Sequence, residues 1–250
     1  MHTCQRIALR LAYLGGRYAG WQRQAAARTV QATVEDALAT LYGTPIRVTA
    51  AGRTDAGVHA AAQVIHFDAP LPIPPAGLVA ALNAALPEDI RALKARRVPA
   101  SFDARRHARC KHYCYRLAWE TVLPPWEAQR TWILPKRPHL EAMAAATARL
   151  VGEHDFAAFA RTGHAGTGRR GTVRRIELAR FASRGRRAAI HLVGDGFLRG
   201  MARRLVGSIV EIGRGAQELA WLEGLLEGTV TTPPAPTAPA HGLTLEGVRY

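Results

Sequence analysis

Ala51-Gly52-Arg53-Thr54-Asp55-Ala56-Gly57-Val58-His59-Ala60 decides the reading of this chain. The stretch sets one acid between two glycines, directly after an Arg-Thr pair, with apolar sequence on both sides. Glycines at this spacing mark a tight loop. A carboxylate and a guanidinium two residues apart on such a loop form a reactive constellation more readily than a surface turn. Asp55 is the candidate acting carboxylate. His59 reads as a structural hydrogen-bonding residue of the same loop.

Working outward, Ile7, Leu9, Leu11 and Tyr13 alternate with Ala8, Arg10 and Ala12, the pattern of a strand with one buried face. Thr29 is placed to cap a helix from Val30 to Tyr42, with Val30, Val34, Ala37, Leu38 and Leu41 on one stripe and Gly43 closing it. Strands are predicted at Ile46–Ala50, Gln63–Asp68 and Asp89–Val98, and Pro74-Pro75 opens a helix carrying Leu78, Val79 and Leu82. Pro99–Asp103 reads as a domain junction. Beyond it, strands are expected at Lys111–Trp119, Arg130–Leu134, Val173–Phe181 and Ala188–Val193. Helices are expected from about His139 to Leu150, from Phe197 to Ile212 and over about Ala216–Leu226. A proline-rich stretch, Thr231–Ala240, leads to a last strand at Leu243–Tyr250. Strands and helices mix without a strict βαβ repeat, so the fold class is α+β with two sheet-and-helix halves.

The chain has 250 residues and a net charge of +15, from 34 basic and 19 acidic residues. Only Lys94, Lys111 and Lys136 are lysines. Coding bias explains arginine over lysine but not the excess of basic over acidic residues, so a polyanionic partner such as nucleic acid is indicated. No run of about 18 apolar residues is present, and no signal peptide's apolar core. Cys4, Cys110 and Cys114 suggest no disulfide framework. A cytoplasmic protein with reduced thiols fits.

Gly166-Thr167-Gly168-Arg169-Arg170-Gly171 matches a dinucleotide-binding pattern by accident, because a strand follows where that motif needs a helix. The segment 161–171 reads as a mobile basic loop. Cys110, His112 and Cys114 alternate along one face of a strand and lack the spacing of a metal site. Tyr113 and Tyr115 fall on the opposite face, where an aromatic beside a cation stacks a base; for Tyr115 ordinary sheet packing is preferred. In the predicted helix from Phe197, one stripe is Phe197, Met201, Leu205 and Ile209. A second stripe is Val206 and Val210, continued toward the N-terminus by Arg199 and Arg203. An arginine at the edge of a packed surface needs an anionic partner. A carboxylate such as Asp55 satisfies one of the two; from spacing alone, a reach of both to solvent or to the phosphates of an RNA serves equally.

Taken together, the motifs resemble the tRNA pseudouridine synthase A family. The resemblance rests on Gly52–Ala60, on Tyr18-Ala19-Gly20-Trp21-Gln22-Arg23-Gln24 with Thr29-Val30-Gln31, and on Asn83 with Leu86-Pro87-Glu88-Asp89-Ile90. It continues through Phe102 with Ala104-Arg105, His154-Asp155-Phe156, Gly196-Phe197-Leu198 with Met201 and Arg203, and His241-Gly242-Leu243. It covers nearly the whole chain in order. Leu14, Asp103 and Ala202 depart from the family's usual Asp, His and Val, outside the catalytic set.

The resemblance implies the pseudouridine synthase fold, with a catalytic cleft between an N-terminal domain, 1–103, and a C-terminal domain, 104–250. It implies isomerisation of uridine to pseudouridine in the anticodon stem-loop of tRNA, at positions 38, 39 and 40. The tRNA, stem-loop and body, is held by a homodimer, with no metal or organic cofactor. By the same resemblance Asp55 is the nucleophile and Arg203 its counter-ion. Tyr113 stacks on the target base and assists removal of the C5 proton. Arg53 aids base flipping, Leu243 packs under the base, and Arg105 belongs to the substrate-binding set. An ionised carboxylate is able to hold ribose or uracil while the glycosidic bond is broken. Whether it attacks C1′ or C6, or assists elimination, stays open. The alternatives are a pseudouridine synthase acting on another RNA, a glycosylase that releases free base, and a non-catalytic RNA-binding protein.

Overall fold

Strand β1, Gln5–Tyr13, runs through the first half of the molecule. The computed structural model describes residues 5–161 and 171–250. The chain forms two compact units, one of residues 1–109 with 245–250 and the other of residues 110–244. Residues 162–170, with most of the glycine-rich pattern at 166–171, lie outside the described residues, as does Cys4.

In the first unit, helix α1 (Val30–Tyr42) begins where its cap residue dictates. The Thr29 hydroxyl accepts from the Ala32 amide at 3.3 Å, and Gly43 ends the helix. Val30, Val34, Ala37 and Leu38 are buried as the spacing predicts, with Tyr42 rather than Leu41 completing the stripe. Strand β2 is only Thr49–Ala50, and β3 is long, His59–Ala69. Helix α2 (Pro75–Ala85) buries Leu78 and Leu82 and packs on β4 (Ile90–Arg97). β1 is central, antiparallel to β3 on one side and to β4 on the other, and β2 adds to β3. Asn83 of α2 clamps β4 by giving its amide to the Ala92 carbonyl (2.9 Å) and accepting from the Ala92 N–H (2.8 Å).

The second unit starts at β5, Cys110–Ala118. A short helix, α3 (Pro125–Ala128), and a two-residue strand, β6 (Trp132–Ile133), precede α4 (Leu140–Ala148). Strands β7 (Gly152–Asp155), β8 (Val173–Arg184) and β9 (Arg187–Gly194) then build outward from β5 as an antiparallel sheet, in the order β5, β9, β8, β7. β6 pairs with β5 in parallel. Helix α5 (Met201–Gly213) packs against α4, which also meets β8 and α6 (Leu219–Glu227). Strand β10, Leu243–Arg249, carries the chain out of the second unit and into the first. The molecule is therefore α+β, with mostly antiparallel strands and packed helices in each unit.

One predicted element begins later than its periodicity suggests. The helix from Phe197 starts at Met201, because Gly200 adopts a left-handed φ of 78°. Phe197 and Arg199 precede the helix and are not part of its stripes. Within it, Met201, Leu205, Val206, Ile209 and Val210 are all fully buried, as expected of a helix apolar on two sides.

Candidate active site

Asp55 is half-buried on a loop that every neighbouring segment holds by its backbone. On its N-terminal side, the Ala51 amide donates to the Val64 carbonyl (2.8 Å), and the Gly52 carbonyl accepts from Gln63 Nε2 (2.8 Å). The Thr54 carbonyl accepts from the Trp21 amide at 3.0 Å. On the C-terminal side, the Asp55 carbonyl accepts from Val58 N (3.1 Å), and Gly57 N donates to the Tyr18 carbonyl (3.3 Å). His59 is buried, and its Nδ1 accepts from the Gly15 amide at 3.0 Å, the structural role expected of it.

These contacts explain the N-terminal signature. The Gly20 and Trp21 carbonyls accept from the first amides of α1, those of Val30 (3.2 Å) and Gln31 (2.9 Å). Trp21 thus ties the helix start to the carbonyl just before Asp55. Buried Gln31 and Glu35 hold the next layer. Gln31 Oε1 accepts from Arg23 N (3.0 Å), and Glu35 accepts from Gln31 Nε2 (2.9 Å) and Val48 N (3.1 Å). Tyr18 donates to Asp89 Oδ1 at 2.6 Å, with the Arg28 guanidinium 4.9 Å above its ring. Burial first, then the hydrogen bond to Asp89, pushes its hydroxyl up to about 12.

Beneath the loop lies a polar pair inside an apolar core. Tyr13 and Thr54 are 4% and 7% exposed, and their hydroxyls meet at 2.9 Å. Burial pushes Tyr13 up to about 12, against the hydrogen bonds of Thr54 and Gln63. Such a hydrogen bond contributes about 1 kcal/mol net, whereas a buried hydroxyl left without a partner costs about 1–3 kcal/mol. Arg53 points into solvent.

Arg105 is also exposed, on a turn built by Asp103, whose carboxylate accepts from the Arg105 and Arg106 amides at 2.8 Å each. Partial burial opposes it, but those two amides hold the Asp103 carboxyl below its usual range. The departure at Asp103 is thus a turn cap. The same turn is fastened by Ala104, whose amide donates to His66 Nδ1 (3.0 Å) and whose carbonyl accepts from the Tyr250 hydroxyl (2.8 Å).

The other predicted residues belong to the second unit. Tyr113 is buried on β5, and its ring meets Phe197 edge-on, with centroids 4.8 Å apart. Phe197, read from the residues as a helix-stripe position, instead precedes α5 and braces Tyr113. Half-buried Arg203 donates from Nε to the Ala238 carbonyl (2.7 Å), while its own carbonyl accepts from Ala238 N (3.2 Å). The proline-rich stretch is therefore a strap that orients the Arg203 side chain. Leu243 is buried at the start of β10. Tyr115 is a core residue, fully buried, donating to the Pro239 carbonyl at 2.8 Å, and burial raises its pKa.

On the other face of β5, Cys110 and Cys114 are buried, and His112 Nε2 lies 3.0 Å from His191 Nδ1. Among the described residues no three His, Cys, Asp or Glu side chains cluster to hold a metal ion, and no helix is long and apolar enough to cross a membrane.

Comparison with known proteins agrees with this architecture. The family described as tRNA pseudouridine synthase matches residues 11–105 and 146–250. The tRNA pseudouridine synthase A of Solidesulfovibrio magneticus is 45% identical, over 98% of this chain and 91% of its own. That of Frankia casuarinae is 41% identical over 98% and 89%, and that of Geobacter sulfurreducens 39% over 98% and 99%. With matches on both sides of the chain and relatives aligned almost end to end, this protein belongs to the tRNA pseudouridine synthase family.

Proposed function

We propose that this protein isomerises uridine to pseudouridine in the anticodon stem-loop of tRNA, at positions 38, 39 and 40, with Asp55 as the nucleophile. The observation that carries the reading is the loop itself: a half-buried carboxylate whose flanking carbonyls at Gly52, Thr54 and Asp55 are each tied to a fixed donor. A group held this way reacts without first being ordered. The reaction breaks the N1–C1′ bond, turns the base and joins C5 to C1′, so it needs no redox or energy carrier.

In this reading Arg203, oriented by the Ala238 carbonyl, is the counter-ion of the Asp55 carboxylate. Tyr113, braced by Phe197, presents its ring to the target base and assists loss of the C5 proton. A tyrosine's ordinary pKa of about 10 makes it a weak base, so this step needs either a pKa shift or a relaying water. Exposed Arg53 fills the space left by the flipped nucleotide, offsetting part of the few kcal/mol that flipping costs. Leu243 packs under the base and Arg105 meets the RNA backbone. The N-terminal half, 1–103, supplies the nucleophile and the C-terminal half, 104–250, the arginine and tyrosine. The enzyme acts as a cytoplasmic homodimer that holds the tRNA body as well as its stem-loop.

The test is tritium release from tRNA labelled at uridine C5. Asp55→Asn is expected to abolish release while leaving tRNA binding within about twofold, since an amide keeps the shape and loses the nucleophile. Normal turnover in that variant sinks the assignment. Chromatography of the wild-type product distinguishes pseudouridine from the free base that a glycosylase would release.

A further inference from the structure

We infer that Tyr13 is a positioning residue for the isomerisation: its buried hydroxyl, with Gln63, fixes Thr54 and thereby aims the Asp55 carboxylate. The inference rests on the reading of Asp55 as the nucleophile.

Tyr13 is the last residue of β1, where the register against β3 shifts. Leu11 lies opposite Gln63, yet Tyr13 lies opposite Ala60, so β3 carries one extra residue across this interval. A bulge of this kind bends the strand and re-aims the side chains beside it. Here it brings the Tyr13 hydroxyl to 2.9 Å from Thr54 Oγ1 and within hydrogen-bonding reach of the Gln63 side chain. Gln63 is 0% exposed and spends its Nε2 on the Gly52 carbonyl. One buried cluster therefore grips the loop at Gly52 and at Thr54, three and one residues before Asp55.

Packing alone does not ask for this chemistry. Trp21 lies against the Tyr13 ring, with centroids 6.1 Å apart, and a phenylalanine would fill the same space. The hydroxyl has a different task. The Thr54 carbonyl is already held by Trp21 N. Holding its side chain as well removes the remaining rotation of the peptide unit that leads into Asp55. Two fixed points on one residue define a direction, where a single hydrogen bond defines only a distance. Tyr13 touches neither base nor ribose in this scheme and acts through Thr54.

The experiment uses the full-length protein and compares Tyr13→Phe, Thr54→Val and the double variant under saturating tRNA. Each single variant is expected to lower kcat by about 10- to 100-fold, the cost of a misplaced reacting group, with KM for tRNA nearly unchanged. The double variant is expected to be no slower than the worse single one, because both remove the same contact. Thr54→Ser, which keeps the hydroxyl, is expected to recover most of the kcat lost in Thr54→Val. The idea is overturned if Tyr13→Phe stays within about twofold of wild type, or if the two losses multiply. It is equally overturned if Thr54→Ser is as slow as Thr54→Val, which would make the methyl group and not the hydroxyl the active feature. If Tyr13→Phe does not fold, the Thr54 pair decides alone. Asp55→Asn, run alongside, separates the two layers. An active Asp55→Asn removes the nucleophile itself, whereas an inactive Asp55→Asn with a fast Tyr13→Phe removes only the aiming role.

Discussion

His66 shows how a single buried side chain couples the fold to pH. Its Nδ1 accepts from the Ala104 amide, which requires the ring nitrogen to be unprotonated. Burial lowers its pKa below the ordinary 6.5; Arg6 and His107 act in the same direction, against the charges of Asp103 and Asp68. The unfolded chain therefore takes up a proton more readily than the folded one, and stability rises with pH across this range. The contribution is complete above about pH 6.5 and is lost as pH falls through the lower, folded-state value. Denaturant midpoints measured between about pH 5.5 and 7.5 are expected to fall toward the acid end. In His66→Gln the slope flattens, although the variant is less stable throughout. At this scale the tight loop that carries Asp55 was legible because two glycines bracket it. Tyr13 and Gln63 were not: alternation reads both as ordinary strand residues, and only the bulge turns them toward one loop.

At the scale of elements, caps proved more informative than periodicity. Thr29 and Gly43 fix both ends of α1, whereas α5 loses its predicted first turn to Gly200. Strands β2 and β6 shrink to two residues each, and β7 and α3 escape a pattern reading because each is only four residues long. The strap across α5 was equally hidden. Prolines announce a stiff stretch but not what it crosses. At Gly207 the helix and the Pro236 carbonyl meet so closely that a Cβ would collide with the oxygen. Gly207→Ala must push the strap away from α5, and the Ala238 carbonyl that holds Arg203 lies two residues beyond Pro236. The substitution is expected to cost about 1–3 kcal/mol of stability, read by thermal unfolding. It should also lower kcat more than Gly247→Ala, a change where a Cβ meets nothing within 4 Å and the backbone has no left-handed φ.

For the whole molecule, charge is the property most directly legible in the sequence. A net charge of +15 spread over 250 residues makes association with RNA a matter of counterion release. A protein that neutralises about six phosphates loses about 10³-fold in affinity between roughly 50 and 200 mM salt. Binding of tRNA, followed by filter retention, is expected to weaken steeply over that range, with the same slope for wild type and Asp55→Asn. The α+β class was legible too, since strands and helices alternate without a βαβ rhythm. The path of the chain was not. A predicted last strand says nothing about which half of the molecule it completes, because its partners are chosen by contacts more than a hundred residues away.

That path has a consequence for how the protein is made. The first unit needs residues 245–250: Tyr250 reaches the Ala104 carbonyl, and the Arg249 carbonyl accepts from Arg109 N at 2.8 Å. A ribosome must therefore translate the whole of 110–244 before the unit holding Asp55 closes. The nascent chain is born with its reactive loop on an unfinished scaffold. Strand β10, emerging after 110–244, is the clasp that finishes the part made first.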